Sequence, residues 1–174
     1  VLLDSRSRAV VEHPTYPTLY RVPRTQQATV DLFGLRPEEN WQPDWQRLRA
    51  MMNDGADLLA ITHPNNPTGS TITADELHAA IRIAHDSTAR LISDETYRLL
   101  TDGDPLPPAA SADPSAVSIS TMSKTYGLPG LRIGWIACRD TGLMKRLVAC
   151  REHITITNNT LGEHIALEVL RSAQ

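Results

Sequence analysis

Cysteine is scarce, aromatic residues make up 5% of the chain and phenylalanine occurs once. Cys138 and Cys150 match neither a disulfide framework nor a metal-binding spacing, so a reduced, cytoplasmic setting is expected. No apolar stretch is long enough to span a bilayer, so no membrane partner is expected. The net charge is −3, with no basic run and no interleaved aromatic stripe, so nothing favours a nucleic-acid partner. Neither Gly-x-Gly-x-x-Gly nor a phosphate-loop lysine occurs. The six histidines form no metal-ligand pattern: His78 and His85 lie seven apart on a helical stretch, His153 and His164 lie further apart, and His13 and His63 each precede proline in a loop. Asn158-Asn159-Thr160 fits the glycosylation pattern, but without other signs of secretion it reads as a chance match. The twelve prolines gather at turns and mark no linker, and no internal repeat is seen. At 174 residues the chain suits one domain or a large part of one.

What remains is an alternation of short apolar runs and helical patterns. Val10–Glu12, Ala28–Leu32, Leu58–Ile61, Leu91–Ile92, Val117–Ser120 and Ile133–Ala137 read as strands. Between them, Pro17 to about Gln26, Trp41 to Asn53 and Thr73 to about His85 read as helices, and a long helical region follows Thr141. Thr73 and Glu76 have the spacing of a capping box. The expected fold is therefore a three-layer α/β/α arrangement with a mostly parallel central sheet. Ligands of such sheets bind beyond the carboxyl ends of the strands, where the polar motifs fall.

Lys124 is the residue with most chemistry around it. It follows Thr121 and Ser123 and precedes a glycine-punctuated turn that ends at Arg132. Hydroxyls and a guanidinium fork suit a phosphate, and a primary amine beside them suits a Schiff base with an aldehyde cofactor. Such a cofactor needs a carboxylate at its ring nitrogen and donors at its phenolic oxygen. Asp94, ending an apolar strand, is the candidate carboxylate; strand alternation turns its neighbour Glu95 away. Tyr97 and Asn66 are candidate donors, and Tyr16 is a candidate to stack on the ring. Taken singly, each has a plainer reading: Asp94 as a turn aspartate, Asn66 in a rigid loop, Arg132 in a surface ion pair and Tyr16 as a packed turn aromatic.

Together, Asn65-Asn66-Pro67-Thr68-Gly69, Ser93-Asp94-Glu95-Thr96-Tyr97 and the run Ser123 to Trp135 resemble the class I/II aminotransferases of fold type I, which depend on pyridoxal phosphate. Pro14-Thr15-Tyr16-Pro17 looks like the family's ring-stacking segment. The resemblance implies that Lys124 carries the cofactor and shuttles a proton, and that Asp94 pairs with the pyridine nitrogen. It further implies that Tyr97 and Asn66 bond the phenolic oxygen, while Thr121, Ser123 and Arg132 hold the phosphate. Thr121 stands where Ser is frequent, which keeps the hydroxyl. Amino-acid and 2-oxo acid substrates and a homodimer are implied for the whole protein. The family is about twice as long, so residues 1–174 are expected to be the central part of the large cofactor-binding domain, without its N-terminal segment and C-terminal small domain. Lyases, decarboxylases and cyclising synthases of the same fold share these motifs, and a non-catalytic fragment or regulator domain would too.

Overall fold

Six apolar runs become strands of one sheet in the computed structural model, which describes residues 1–172. They are β1 (Arg8–His13), β2 (Thr29–Gly34), β3 (Leu58–Thr62), β4 (Arg90–Asp94), β5 (Val117–Thr121) and β6 (Gly134–Cys138). Their order is β2-β1-β3-β4-β5-β6, parallel throughout except that β6 runs antiparallel to β5. Every residue of β3 is buried, as a central parallel strand covered on both faces requires.

Helices cover both faces: α1 (Thr18–Thr25), α2 (Trp45–Asn53), α3 (Ala74–Asp86), the single turn α4 (Ala109–Ala112), α5 (Thr141–Ile154) and α6 (Thr160–Ser172). Val10, Leu59, Ile61 and Leu91 point to one face, where Leu48 and Met52 of α2 and Leu77, Ile81 and Ala84 of α3 pack on them. Ala9, Val11, Leu58 and Ala60 point to the other, against Leu19 and Tyr20 of α1. The three-layer expectation holds. The chain thus leaves β1 toward one face and β3 toward the other, which makes the β1–β3 boundary the switch point of the sheet.

The α3 capping box forms as its sequence predicts. Thr73 Oγ1 accepts from the Glu76 N–H at 3.3 Å, while Glu76 Oε2 accepts from the Thr73 N–H at 2.7 Å. Two other helix boundaries differ from the sequence reading. The second helix starts at Trp45, not Trp41, because Asn40 and Trp41 are both left-handed and Asp44 caps through the Arg47 N–H at 3.0 Å. The long region after Thr141 is two helices, broken where Ile156 turns left-handed (φ 60°) and restarted at Asn159, whose Oδ1 accepts from Gly162 N–H.

β6 must lie close to β5, and glycine permits it. A Cβ added at Gly134 would sit 2.9 Å from the Ser120 carbonyl oxygen. Gly134→Ala is expected to push the strands apart and cost about 1–3 kcal/mol, read as a lower urea midpoint. An unchanged midpoint would contradict this packing.

Candidate functional site

Parallel strands that are neighbours deliver their carboxyl ends to one side of a sheet. β1, β3, β4 and β5 are such neighbours, and three strand spacings of roughly 4.8 Å set the width they span. Tyr16 follows β1, Asn66 follows β3, Asp94 ends β4 with Tyr97 in the turn beyond it, and Thr121 ends β5 with Ser123 and Lys124 just after. β6 is antiparallel, so it begins where β5 ends: Thr121 pairs with Gly134. Arg132, just before β6, is thereby returned to the same end. All eight residues line one crevice of about 410 Å³. That volume lies within the roughly 300–1,000 Å³ of small-molecule sites.

Groups of different chemistry line the crevice. Asp94 is buried at 9% exposure; its Oδ1 accepts the Thr96 N–H at 3.1 Å, a turn contact that leaves Oδ2 for another donor. Glu95 points the other way, as alternation predicts. Its Oε1 accepts the Ala109 N–H at 2.8 Å and the Ser118 hydroxyl at 2.6 Å. Lys124 Nζ lies over the Tyr97 ring, 5.8 Å from its centroid.

Thr121 Oγ1 accepts the Ser123 N–H at 2.7 Å, which leaves its own O–H to donate. Arg132 is left-handed at φ 56°, and among the described residues only its Nη1 is engaged, donating to the Pro129 carbonyl at 2.8 Å. A bulky residue held in that region fits a position fixed for binding, and most of its guanidinium fork remains available. The hydroxyls and the guanidinium suit a dianion, and the carboxylate suits a cation.

Sequence reasoning missed Thr18, Thr62, Thr96 and Ser120, which also line the crevice. Thr62 did carry a signal, as the polar end of an otherwise apolar strand. His63, beside it, is structural: it is 5% exposed and its Nδ1 accepts the Ile72 N–H at 3.2 Å. Among the described residues no group of His, Cys, Asp and Glu forms a metal cluster.

Two buried groups beside the crevice titrate abnormally. Burial pushes the Glu12 carboxyl up to about 7 and pushes His63 down to about 4. The signs oppose. Glu12 binds a proton in the folded state that the unfolded chain has lost, so its contribution falls as pH rises from about 4.5 to about 7. His63 stays neutral where the unfolded chain is protonated, so its contribution falls as pH drops from about 6.5 to about 4. In the overlap they offset one another. Glu12→Gln is expected to leave the His63 slope uncompensated, so that urea stability climbs more steeply with pH between 5 and 6.5 than in the parent, on the order of one proton's worth. Parallel profiles would contradict this.

Comparison with known proteins gives a consistent result. The family described as "Aminotransferase class I and II" matches residues 1–174. Capreomycidine synthase of Streptomyces vinaceus is 31% identical over 165 residues, 94% of this chain and 42% of its own. Aspartate/prephenate aminotransferase of Thermus thermophilus is 28% identical over 174 residues, 99% of this chain and 45% of its own. Among solved structures, a PLP-dependent aminotransferase from Streptococcus suis superposes with a TM-score of 0.88 at 30% identity, covering 95% of this chain and 44% of that one. The chain spans less than half the length of the curated relatives it matches.

Proposed function

The chain belongs to the class I and II aminotransferases, and from that premise we propose that it is part of the cofactor-binding domain of an enzyme that moves an amino group between an amino acid and a 2-oxo acid. The cofactor is pyridoxal phosphate. The residues fit it. Asp94 is a buried carboxylate with no basic side-chain partner among the described residues, and it shares one crevice with Lys124. That pairing is the observation that carries the proposal, because a pyridinium is the cation that such a carboxylate lacks.

When bound, pyridoxal phosphate supplies an aldehyde that exchanges amines and a protonated ring that withdraws electrons from the bonds at the substrate Cα. Asp94 holds the proton on the ring nitrogen, since an adjacent carboxylate favours the charged form. The Tyr97 hydroxyl and the Asn66 amide donate to the phenolic oxygen, and Tyr16 covers the ring. The Thr121 and Ser123 hydroxyls and the Arg132 guanidinium hold the phosphate. Lys124 Nζ would hold the aldehyde and would be the base positioned to move the proton at the substrate Cα.

The same reading makes the whole protein a cytoplasmic homodimer, with residues 1–174 in its large domain; positions 173 and 174 lie outside the described residues. Ile154, Ile156 and Leu161, each about 70% exposed on or beside α5 and α6, support further protein covering that face. No helix among the described residues is long and apolar enough to cross a membrane.

Product analysis tests the reaction. The protein with pyridoxal phosphate, a panel of amino acids and one 2-oxo acid is expected to give the matching oxo acid and the aminated acceptor. The likeness to a synthase supports a second reading. A cyclised or cleaved product formed without any acceptor would replace the first reading with that one.

A further inference from the structure

The β1–β3 ladder stops short of the crevice. Its paired residues end at Val11 and Ala60, while both strands continue, β1 to His13 and β3 to Thr62. Alternate N–H groups of a parallel strand serve opposite neighbours, and His63 donates to the Asp94 carbonyl on the β4 side at 2.9 Å. The Thr62 N–H therefore faces β1, where no carbonyl meets it. It donates instead to Glu12 Oε2, at 2.6 Å.

Glu12 is an expensive acceptor to place there. It is 4% exposed, it lies among Phe33, Trp45, Leu48 and Ile61, and among the described residues no basic side chain compensates it. Two more polar contacts sit beside it and join the same pair of loops. The Thr15 and Thr62 hydroxyls meet at 2.6 Å, and Asn65 Nδ2 donates to the Pro14 carbonyl at 3.1 Å. Thr15 and Thr62 are both buried. The loops so joined carry Tyr16 and Asn66. These loops depart toward opposite faces of the sheet, so ordinary strand pairing does not fix their separation.

We propose that Glu12 is a positioning residue for the cofactor: its carboxyl stands in for the absent ladder bond and, through Thr62, sets the separation of the loops that place Tyr16 and Asn66 on the ring. The proposal rests on the assignment of the crevice to pyridoxal phosphate. The carboxyl works as an acceptor, so a neutral acceptor of the same length serves equally. A well-packed apolar side chain does not, although it avoids burying a charge.

Three variants separate this role from a merely structural one. Glu12→Met keeps the volume and loses the acceptor. Removing a buried, unpaired charge offsets the lost hydrogen bond, so its urea midpoint at pH 8 is expected to stay near the parent's. Its cofactor site is expected to change. Pyridoxal phosphate binds about tenfold more weakly. The pH midpoint of the bound cofactor's visible band rises by about one unit, because Asn66 no longer donates well to the phenolic oxygen. Glu12→Gln restores both values to within about twofold of the parent. Thr15→Val, which breaks only the hydroxyl bridge, shifts both in the same direction by less. In the cofactor-free protein, amide exchange in residues 13–17 and 62–70 quickens in Glu12→Met while the strands β4 and β5 are unchanged.

Parent-like exchange and a parent-like band midpoint in Glu12→Met would overturn the proposal. So would a loss of cofactor affinity that only tracks a loss of global stability, or a Gln variant that behaves like Met. If the parent itself shows no visible band, the cofactor assignment fails, and with it the role toward Tyr16 and Asn66. The exchange measurement then reports only whether Glu12 joins the two loops.

Discussion

Lys124→Ala is expected to abolish the visible absorbance of the protein reconstituted with pyridoxal phosphate and to lower amino-group transfer by about 10⁴-fold or more. Two roles are lost together. The amine no longer joins the aldehyde, and the base at Cα goes with it: Tyr97, whose ring centroid lies 5.8 Å from the amine, is a phenol that the proposal assigns to the cofactor's phenolic oxygen. The sequence has one other lysine, Lys145, which lies on α5 and does not line the crevice. The fold should be untouched, since Lys124 is exposed and makes no ion pair or side-chain hydrogen bond among the described residues. A variant with a retained band, or with activity within tenfold of the parent, would refute the assignment of the amine.

Asp94→Asn should produce a different loss. The amide still accepts the Thr96 N–H through Oδ1, so the turn survives and the cofactor still attaches at Lys124. What disappears is the charge. A carboxylate beside a cation shifts its pKa by about one to three units, so the protonated fraction of the ring, and with it the rate, falls at neutral pH by up to roughly 10- to 1,000-fold. The visible band persists while kcat drops. Loss of the band and of kcat together would instead mark Asp94 as a residue of the fold, the turn aspartate that its local sequence also allows.

Most of the site was legible because each motif sits at a strand end, and strand ends are what apolar runs reveal best. Leu58–Ile61 and Leu91–Ile92 announce β3 and β4, and Asn66, Asp94 and Tyr97 follow at short distances. The position of Arg132 was less accessible. It reaches the crevice because β6 is antiparallel, and the mixed direction was visible only as the shortness of the link from Met122 to Ile133, whose one helical turn, the 3-10 turn Pro129–Leu131, is too short to carry a parallel crossover. Helix starts failed where local capping outcompeted periodicity: Trp41 continues the apolar stripe, but Asp44 supplies the acceptor that an N-terminus needs. Glu12 was hidden for the opposite reason. A charge ending Val10-Val11-Glu12 looks like a strand emerging into solvent, and only the pairing register shows that it stays buried and replaces a ladder bond.

The assignment of the crevice depends most on one covalent attachment, that of the cofactor to Lys124. Borohydride reduction of the protein loaded with pyridoxal phosphate, followed by proteolysis and peptide mass mapping, reads it directly. With lysine only at 124 and 145, the alternatives are few. A single cofactor adduct is expected on the peptide that contains Lys124, absent from Lys124→Ala. An adduct on Lys145 or the amino terminus, or no adduct from a protein that shows the visible band, would contradict it.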